Sequence, residues 1–153
     1  MADVVVRPYR AATDFRAVLD CQCDLYEVNF PRFQCSQQFL HEQAGRLRQV
    51  ARRPFEHAIF VLEDAGTFAG YVWAALRMDL TGVFGSIDQI YLKPEYRGQH
   101  LGERLMERAH EHLRELGVDW VRLFVTRSNT PAVRLYEEIG YETIRLEMEK
   151  RLR

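Results

Sequence analysis

The segment from Ile87 to Leu116 limits the possible folds more than any other. A largely apolar run, Ile87-Asp88-Gln89-Ile90-Tyr91-Leu92, is closed by Pro94, and a turn carrying Gly98 and Gly102 follows. Leu101, Leu105, Ala109, Leu113 and Leu116 then recur at one-turn intervals, with Glu103, Arg104, Glu107, Arg108, Glu111 and Arg114 on the remaining faces, up to Gly117. An interior strand feeding a helix with a single apolar stripe needs a layered structure, in which the helix buries its stripe on a sheet.

The rest of the chain supplies the other strands and helices. Residues 4–9 predict a first strand. Thr13 stands as a helix cap before Phe15, Val18, Leu19, Leu25 and Tyr26, and that helix stops near Pro31. Ser36 opens a second helix with Phe39, Leu40, Leu47 and Val50, ending by Pro54. Residues 57–63 and 67–77 are β-rich and joined by Asp64-Ala65-Gly66, an antiparallel hairpin, and 79–86 is turn-rich. A strand over 118–125 leads to Ser128-Asn129-Thr130-Pro131, a cap with proline at the first helical turn, and this helix ends at Gly140. Residues 141–150 read as a closing strand, with Ile144, Leu146 and Met148 alternating against Thr143, Arg145, Glu147 and Glu149. The order β α α β β β α β α β has no internal repeat and no linker, so the expectation is one α/β domain over residues 1–153.

Composition narrows the function classes. With 153 residues, 47% of them hydrophobic, the chain is long enough to fold without disulfides or a metal. Its 21 basic and 22 acidic residues give no positive field to draw in nucleic acid or an anionic membrane. No run approaches the ~18–20 apolar residues of a membrane span, and the amino terminus lacks the plan of a signal peptide. The expectation is therefore cytoplasmic. The odd number of cysteines, Cys21, Cys23 and Cys35, predicts free thiols. A zinc site with His41 is disfavoured, because Cys21 and Cys23 sit two apart in a helical pattern and point away from each other. His110 and His112 are discounted as metal ligands for the same reason.

Glycines between a strand end and a helix start let backbone N–H groups converge on an anion, and the helix N-terminus adds positive potential. A phosphate-bearing ligand is implied. The spacing of Gly98 and Gly102 fits neither the dinucleotide G-x-G-x-x-G nor the P-loop.

Two segments taken together are more specific. Pro94-Glu95-Tyr96-Arg97-Gly98-Gln99-His100-Leu101-Gly102 resembles the acetyl-CoA pyrophosphate signature [QR]-x-x-G-x-[GA] of the GCN5-related N-acetyltransferase (GNAT) family. The stretch Asn129 to Tyr141 resembles that family's N-x-x-A-x-x-L-Y-x-x-x-G-[FY] helix, and the element order agrees over essentially the whole chain. The resemblance implies a GNAT-like mixed central sheet, with two parallel strands that splay apart and helices on both faces. It implies acetyl-CoA as co-substrate, no metal, and transfer of the acetyl group to a primary amine of a small molecule or peptide by direct attack in a ternary complex. Arg97, Gly98, Gln99, His100, Leu101 and Gly102 would hold the pyrophosphate. Ile90, Tyr91 and Leu92 would pair with the pantetheine arm like an added strand, and Asn129 would contact the arm or its end. One departure is His100 in place of the signature's central glycine, where a side chain narrows the cradle or imposes a different local backbone. That departure leaves a non-catalytic acyl-CoA-binding or regulatory module as the competing class.

The same resemblance assigns the proton transfers. Tyr136 matches the usual general acid, a phenol able to protonate the departing thiolate. Asp88 stands where relatives place an acidic residue and is the first candidate for a base acting through water, with Glu27 in reserve. Tyr26, Glu27 and Phe30, near the end of the first helix, would shape the acceptor pocket. Relatives often pair through terminal strands or a sheet edge, so a homodimer is expected.

Overall fold

The computed structural model describes residues 3–153. Strand β1 (Val4–Pro8) leads into α1 (Ala11–Asp20), α2 (Gln22–Asn29) and α3 (Gln37–Arg52). Three long strands follow, β2 (His57–Asp64), β3 (Thr67–Asp79) and β4 (Gly82–Leu92). A short 3-10 turn at Pro94–Tyr96 then precedes α4 (Leu101–Glu115), β5 (Val121–Leu123) and α5 (Thr130–Glu138). The five strands lie in the order β1-β2-β3-β4-β5. The first four pair antiparallel, and β5 pairs parallel with β4.

Alternation along the strands sorts the core into two layers. Ile59 and Val61 of β2 and Trp73 of β3 face Val18, Leu47 and Val50 of α1 and α3. Phe60, Leu62 and Val72 face the other way, onto Leu105, Ala109 and Leu113 of α4 and Tyr136 of α5. Helices therefore cover both faces, as a sheet apolar on both sides requires. Among the described residues no helix is long and apolar enough to cross a membrane.

Several elements differ from the sequence-based expectation. The first helix starts at Ala11, because the Asp14 carboxylate reaches back to accept from the Arg10 backbone N–H at 2.7 Å, while Thr13 caps nothing. Asp14 also takes two bonds from Arg7, whose Nε reaches Glu63, so one ion cluster ties β1, α1 and β2 together. That helix breaks at Cys21, whose N–H closes a tighter turn onto Val18, and the side chain of Gln22 runs inward to the sheet. The turn-rich 79–86 region is mostly strand. Asp79 accepts from the Thr81 backbone N–H at 2.7 Å and closes the β3–β4 turn within two residues, so Gly82 to Ser86 pair back onto β3.

Residues 141–150 form no strand. The strand expected over 118–125 is likewise reduced to three paired residues in β5, and an alternating segment with no ladder beside it gains no backbone bonds. The expectation of three free thiols is also corrected. Cys23 and Cys35 are joined by a disulfide across a Cα separation of 5.4 Å, and only Cys21, buried, is free. Local helical spacing separates Cys21 from Cys23, but it says nothing about Cys35, which the loop before α3 brings back to α2.

Candidate active site

The opening in the sheet begins at Asp88. Pairing between β4 and β5 runs only from Gly85 opposite Val121 to Ile87 opposite Leu123. At the next residue β4 carries a bulge, since Trp73 of β3 faces Gln89 and Ala74 faces Ile87, leaving Asp88 as the extra residue. Beyond it β4 continues to Leu92 without β5, and among the described residues no strand bonds that edge of its backbone. Ile90 and Leu92 pack toward α4 and α5, and Tyr91 packs toward α1 and α3.

At the far end of this free edge lies the glycine turn. Gly98 has φ +73°, in the left-handed region, and open space where a side chain would begin. His100 also sits in the left-handed region at φ 58°, as the residue immediately before α4. A glycine is the residue that conformation favours, so the departure from the family signature is accommodated as backbone strain. The His100 ring lies exposed, bonded to Glu103 at 2.9 Å, and that carboxylate raises its pKa. Arg97 donates to the Leu92 carbonyl at 2.9 Å and lies against Asp24. Gln99 donates to the Glu95 carbonyl at 3.0 Å, folding the turn on itself. Leu101 is buried at the start of α4, and a Cβ on Gly102 would meet the Leu135 side chain at 3.1 Å. Gly102 thus lets α4 approach α5, while the first-turn amides of α4 stay free of helical partners. This arrangement fits a pyrophosphate: a positive-φ glycine, an arginine and a helix N-terminus meet at one end of an unpaired strand edge.

The opposite wall comes from the β5–α5 connection. Asn129 precedes α5 and donates to the Asn29 side chain at 3.1 Å, and the Thr126 hydroxyl donates to the Asn29 carbonyl. Tyr136 is 7% exposed, and burial pushes its hydroxyl up to about 12, so it stays protonated throughout the neutral range. Its ring meets Tyr141 edge-on at 5.8 Å.

The α1–α3 side of the opening carries the remaining polar groups. Asp88 accepts from the Ser86 hydroxyl at 2.7 Å and from Arg77 at 2.5 Å, which engages both carboxylate oxygens. His57 Nδ1 accepts from the Trp73 indole at 3.2 Å, and burial, with Arg77 next in effect, lowers the pKa of the ring. The neutral ring therefore presents Nε2–H and is a donor here. Tyr26 packs among Phe30, Phe33 and Phe39, with centroids 5.3, 5.5 and 4.8 Å away. Glu27 is exposed on α2, one turn beyond Asp24.

Sequence reasoning missed the group that fastens α2 beneath the opening. Gln22, Tyr71 and Gln89 form a closed, buried set of hydrogen bonds, with Tyr71 donating to Gln89 at 2.7 Å and Gln22 to Gln89 at 3.1 Å. Asp24 accepts from Tyr91 at 2.5 Å. The only trace in the sequence is a glutamine within the apolar run 87–92. Among the described residues no cluster of metal-ligating side chains occurs.

A mixed five-stranded sheet whose parallel pair separates beside a glycine turn, with helices on both faces, is the architecture of the GNAT acetyltransferases. The sequence model described as "Acetyltransferase (GNAT) family" matches residues 20–141, and the chain belongs to that family. It is 41% identical over 85 residues to a mycothiol acetyltransferase of Thermobispora bispora, a match covering 54% of this chain and 29% of that protein. The chain thus spans less than a third of that relative's length. Among solved structures, a Pyrococcus furiosus protein described as an acetyl transferase superposes with a TM-score of 0.77 at 25% identity, over 98% of this chain and 100% of the other. A GCN5-related N-acetyltransferase from Ralstonia eutropha JMP134 gives 0.73 at 21% identity, over 97% and 98% of the two chains.

Proposed function

We propose that this protein is an acetyl-CoA-dependent N-acetyltransferase that acetylates a primary amine by direct attack in a ternary complex. The observation that carries the reading is the unpaired edge of β4, which runs from Asp88 at the bulge to the glycine turn before α4. When bound, acetyl-CoA supplies an activated acetyl thioester. The amides of residues 97–102 and the Arg97 side chain hold its pyrophosphate, and the β4 edge from Ile90 to Leu92 offers backbone groups to the arm. Asn129 contacts the arm from the opposite wall. Tyr136 keeps its proton at neutral pH and donates it to the departing thiolate. Asp88, steadied by Ser86 and Arg77, takes the amine proton through water. Tyr26 and Phe30, with Glu27 beside them, line the approach of the acceptor.

A screen of amines with acetyl-CoA, following free thiol, tests this reading beside calorimetry of acetyl-CoA binding. Acetyl-CoA binding with thiol release that depends on an amine supports it. Acetyl-CoA binding without turnover of any amine favours the binding-module alternative.

We further propose that two copies pair. Supporting this, Ile144, Leu146 and Met148 are 75%, 77% and 88% exposed on the terminal segment, and among the described residues no strand lies on the outer edge of β5. Light scattering over a wide concentration range should give a dimer mass, and a constant monomer mass rejects the pairing.

A further inference from the structure

Most arginines on the α1–α3 side of the sheet have an acid. Arg77 is paired with Asp88, Arg7 with Asp14 and Glu63, and Arg97 with Asp24. Arg46 differs. Among the described residues its guanidinium bonds only neutral oxygens, the Tyr26 hydroxyl at 3.2 Å and the Gln43 side chain at 3.3 Å, both through Nη1. The same guanidinium lies 5.4 Å over the ring of the buried Trp73, which hydrogen bonds His57. Trp73 in turn stands opposite Gln89, next to the bulge at Asp88.

These contacts hold an exposed cation that no carboxylate among the described residues neutralises. Nη1 is spent on Tyr26 and Gln43, the guanidinium carbon sits 5.4 Å from the centre of the Trp73 ring, and Tyr26 is itself wedged among Phe30, Phe33 and Phe39. The edge left over, Nε–H together with Nη2–H, is the fork that binds a carboxylate through two parallel hydrogen bonds. On the same side of the sheet Asp88, although paired with Arg77, is the proposed base toward which the amine end would point. A polycation would meet Arg46 with like charge, whereas an amine carrying its own carboxylate satisfies both ends.

We infer that the acceptor is an amino-acid-type molecule, a primary amine bearing a carboxylate, and that Arg46 is the residue that selects it. The inference rests on the acetyltransferase reading and adds the substrate class.

The test compares initial rates of thiol release for the standard L-α-amino acids, their α-carboxamides and spermidine, with acetyl-CoA binding measured separately by calorimetry. At least one acid should exceed its amide by about 10- to 100-fold in kcat/KM, the range of a charged bidentate contact. In Arg46→Gln that ratio should collapse toward one through a higher KM for the acid, with kcat for the acid changed far less. Arg46→Lys, which keeps charge and loses the fork, should recover part of it. A ratio that survives Arg46→Gln, amides equal to acids, or spermidine as the best acceptor overturns the inference. If acetyl-CoA binds and nothing in the panel is acetylated, the substrate class is wrong and the cofactor assignment stands. If acetyl-CoA does not bind, both fail.

Discussion

The Asp24 carboxylate accepts the Tyr91 hydroxyl at 2.5 Å, and the same oxygen lies 3.3 Å from Arg97. One acid on α2 is thereby joined to the strand that would carry the cofactor arm and to the turn that would carry its phosphates. At its other end α2 holds Asn129 and Thr126 through Asn29, so this one helix spans the gap between β4 and β5. Tyr91→Phe removes the first link only. A loss of about 1 kcal/mol in urea unfolding is expected for a bond to a half-exposed carboxylate, with the fold kept. An unchanged midpoint would mean that Arg97 alone holds Asp24.

Tyr136→Phe deletes a hydroxyl from a well-packed ring. Acetyl-CoA affinity should persist while kcat falls about 10- to 1000-fold, the contribution of a positioned general acid. Asp88→Asn should move the rate profile to higher pH, because only amine already neutral can then attack. Full kcat in Tyr136→Phe, with chemistry limiting, assigns the proton to water or another group.

Gly98→Val places a β-branched side chain at φ +73° and fills the space where phosphate would approach the backbone. Calorimetry should show acetyl-CoA binding weakened at least about tenfold, and unchanged affinity refutes the cradle. His100→Gly relieves the left-handed strain at φ 58° and loses an exposed contact to Glu103. Its Tm should rise by about 2 °C, with acetyl-CoA affinity equal or tighter.

Acid should loosen β1 from α1. Burial alone would raise the Asp14 pKa, but the Arg7 guanidinium and the Arg10 backbone N–H outweigh it, and the net direction is down. A group depressed in the folded state stabilises fully above its unfolded value, about 3.9, and loses that contribution as pH falls from there through its folded pKa. Asp14→Asn should cost about 2–4 kcal/mol near pH 7, Glu63 still partnering Arg7. The gap between variant and wild type should close below about pH 4 in urea titrations. A gap that stays constant to pH 2 would show that Asp14 acts by packing instead.

The Cys23–Cys35 bridge closes a short loop, at a sequence separation of 12, across the α2–α3 connection that carries Phe30 and Phe33. Chain entropy predicts that Cys35→Ser lowers stability by about 2–3 kcal/mol relative to the oxidised protein. Reductant should bring the wild type to the same midpoint, and alkylation before and after reduction should differ by two thiols. Equal midpoints with and without reductant would exclude a stabilising bridge.

Periodicity and punctuation made the architecture readable. The stripe from Leu101 to Leu113, the hairpin at Ala65 and Gly66, and the turn holding Gly98 and His100 all depend on contacts or dihedral preferences within a few residues of the chain. The family signature lies in those same short stretches, and it is from the signature that Arg97, Gly98, Asn129 and Tyr136 are proposed as site residues. Other features involve partners distant in sequence. The break at Cys21 follows from Gln22 reaching Gln89, 67 residues on, and the link between Asp24 and Tyr91 has the same separation. The bulge that isolates Asp88 is a mismatch in register between β3 and β4, which neither strand encodes alone. Residues 141–150 alternate as a strand should and still form none, because a strand is completed by the hydrogen bonds of a neighbour, and here β4 and β5 have already parted.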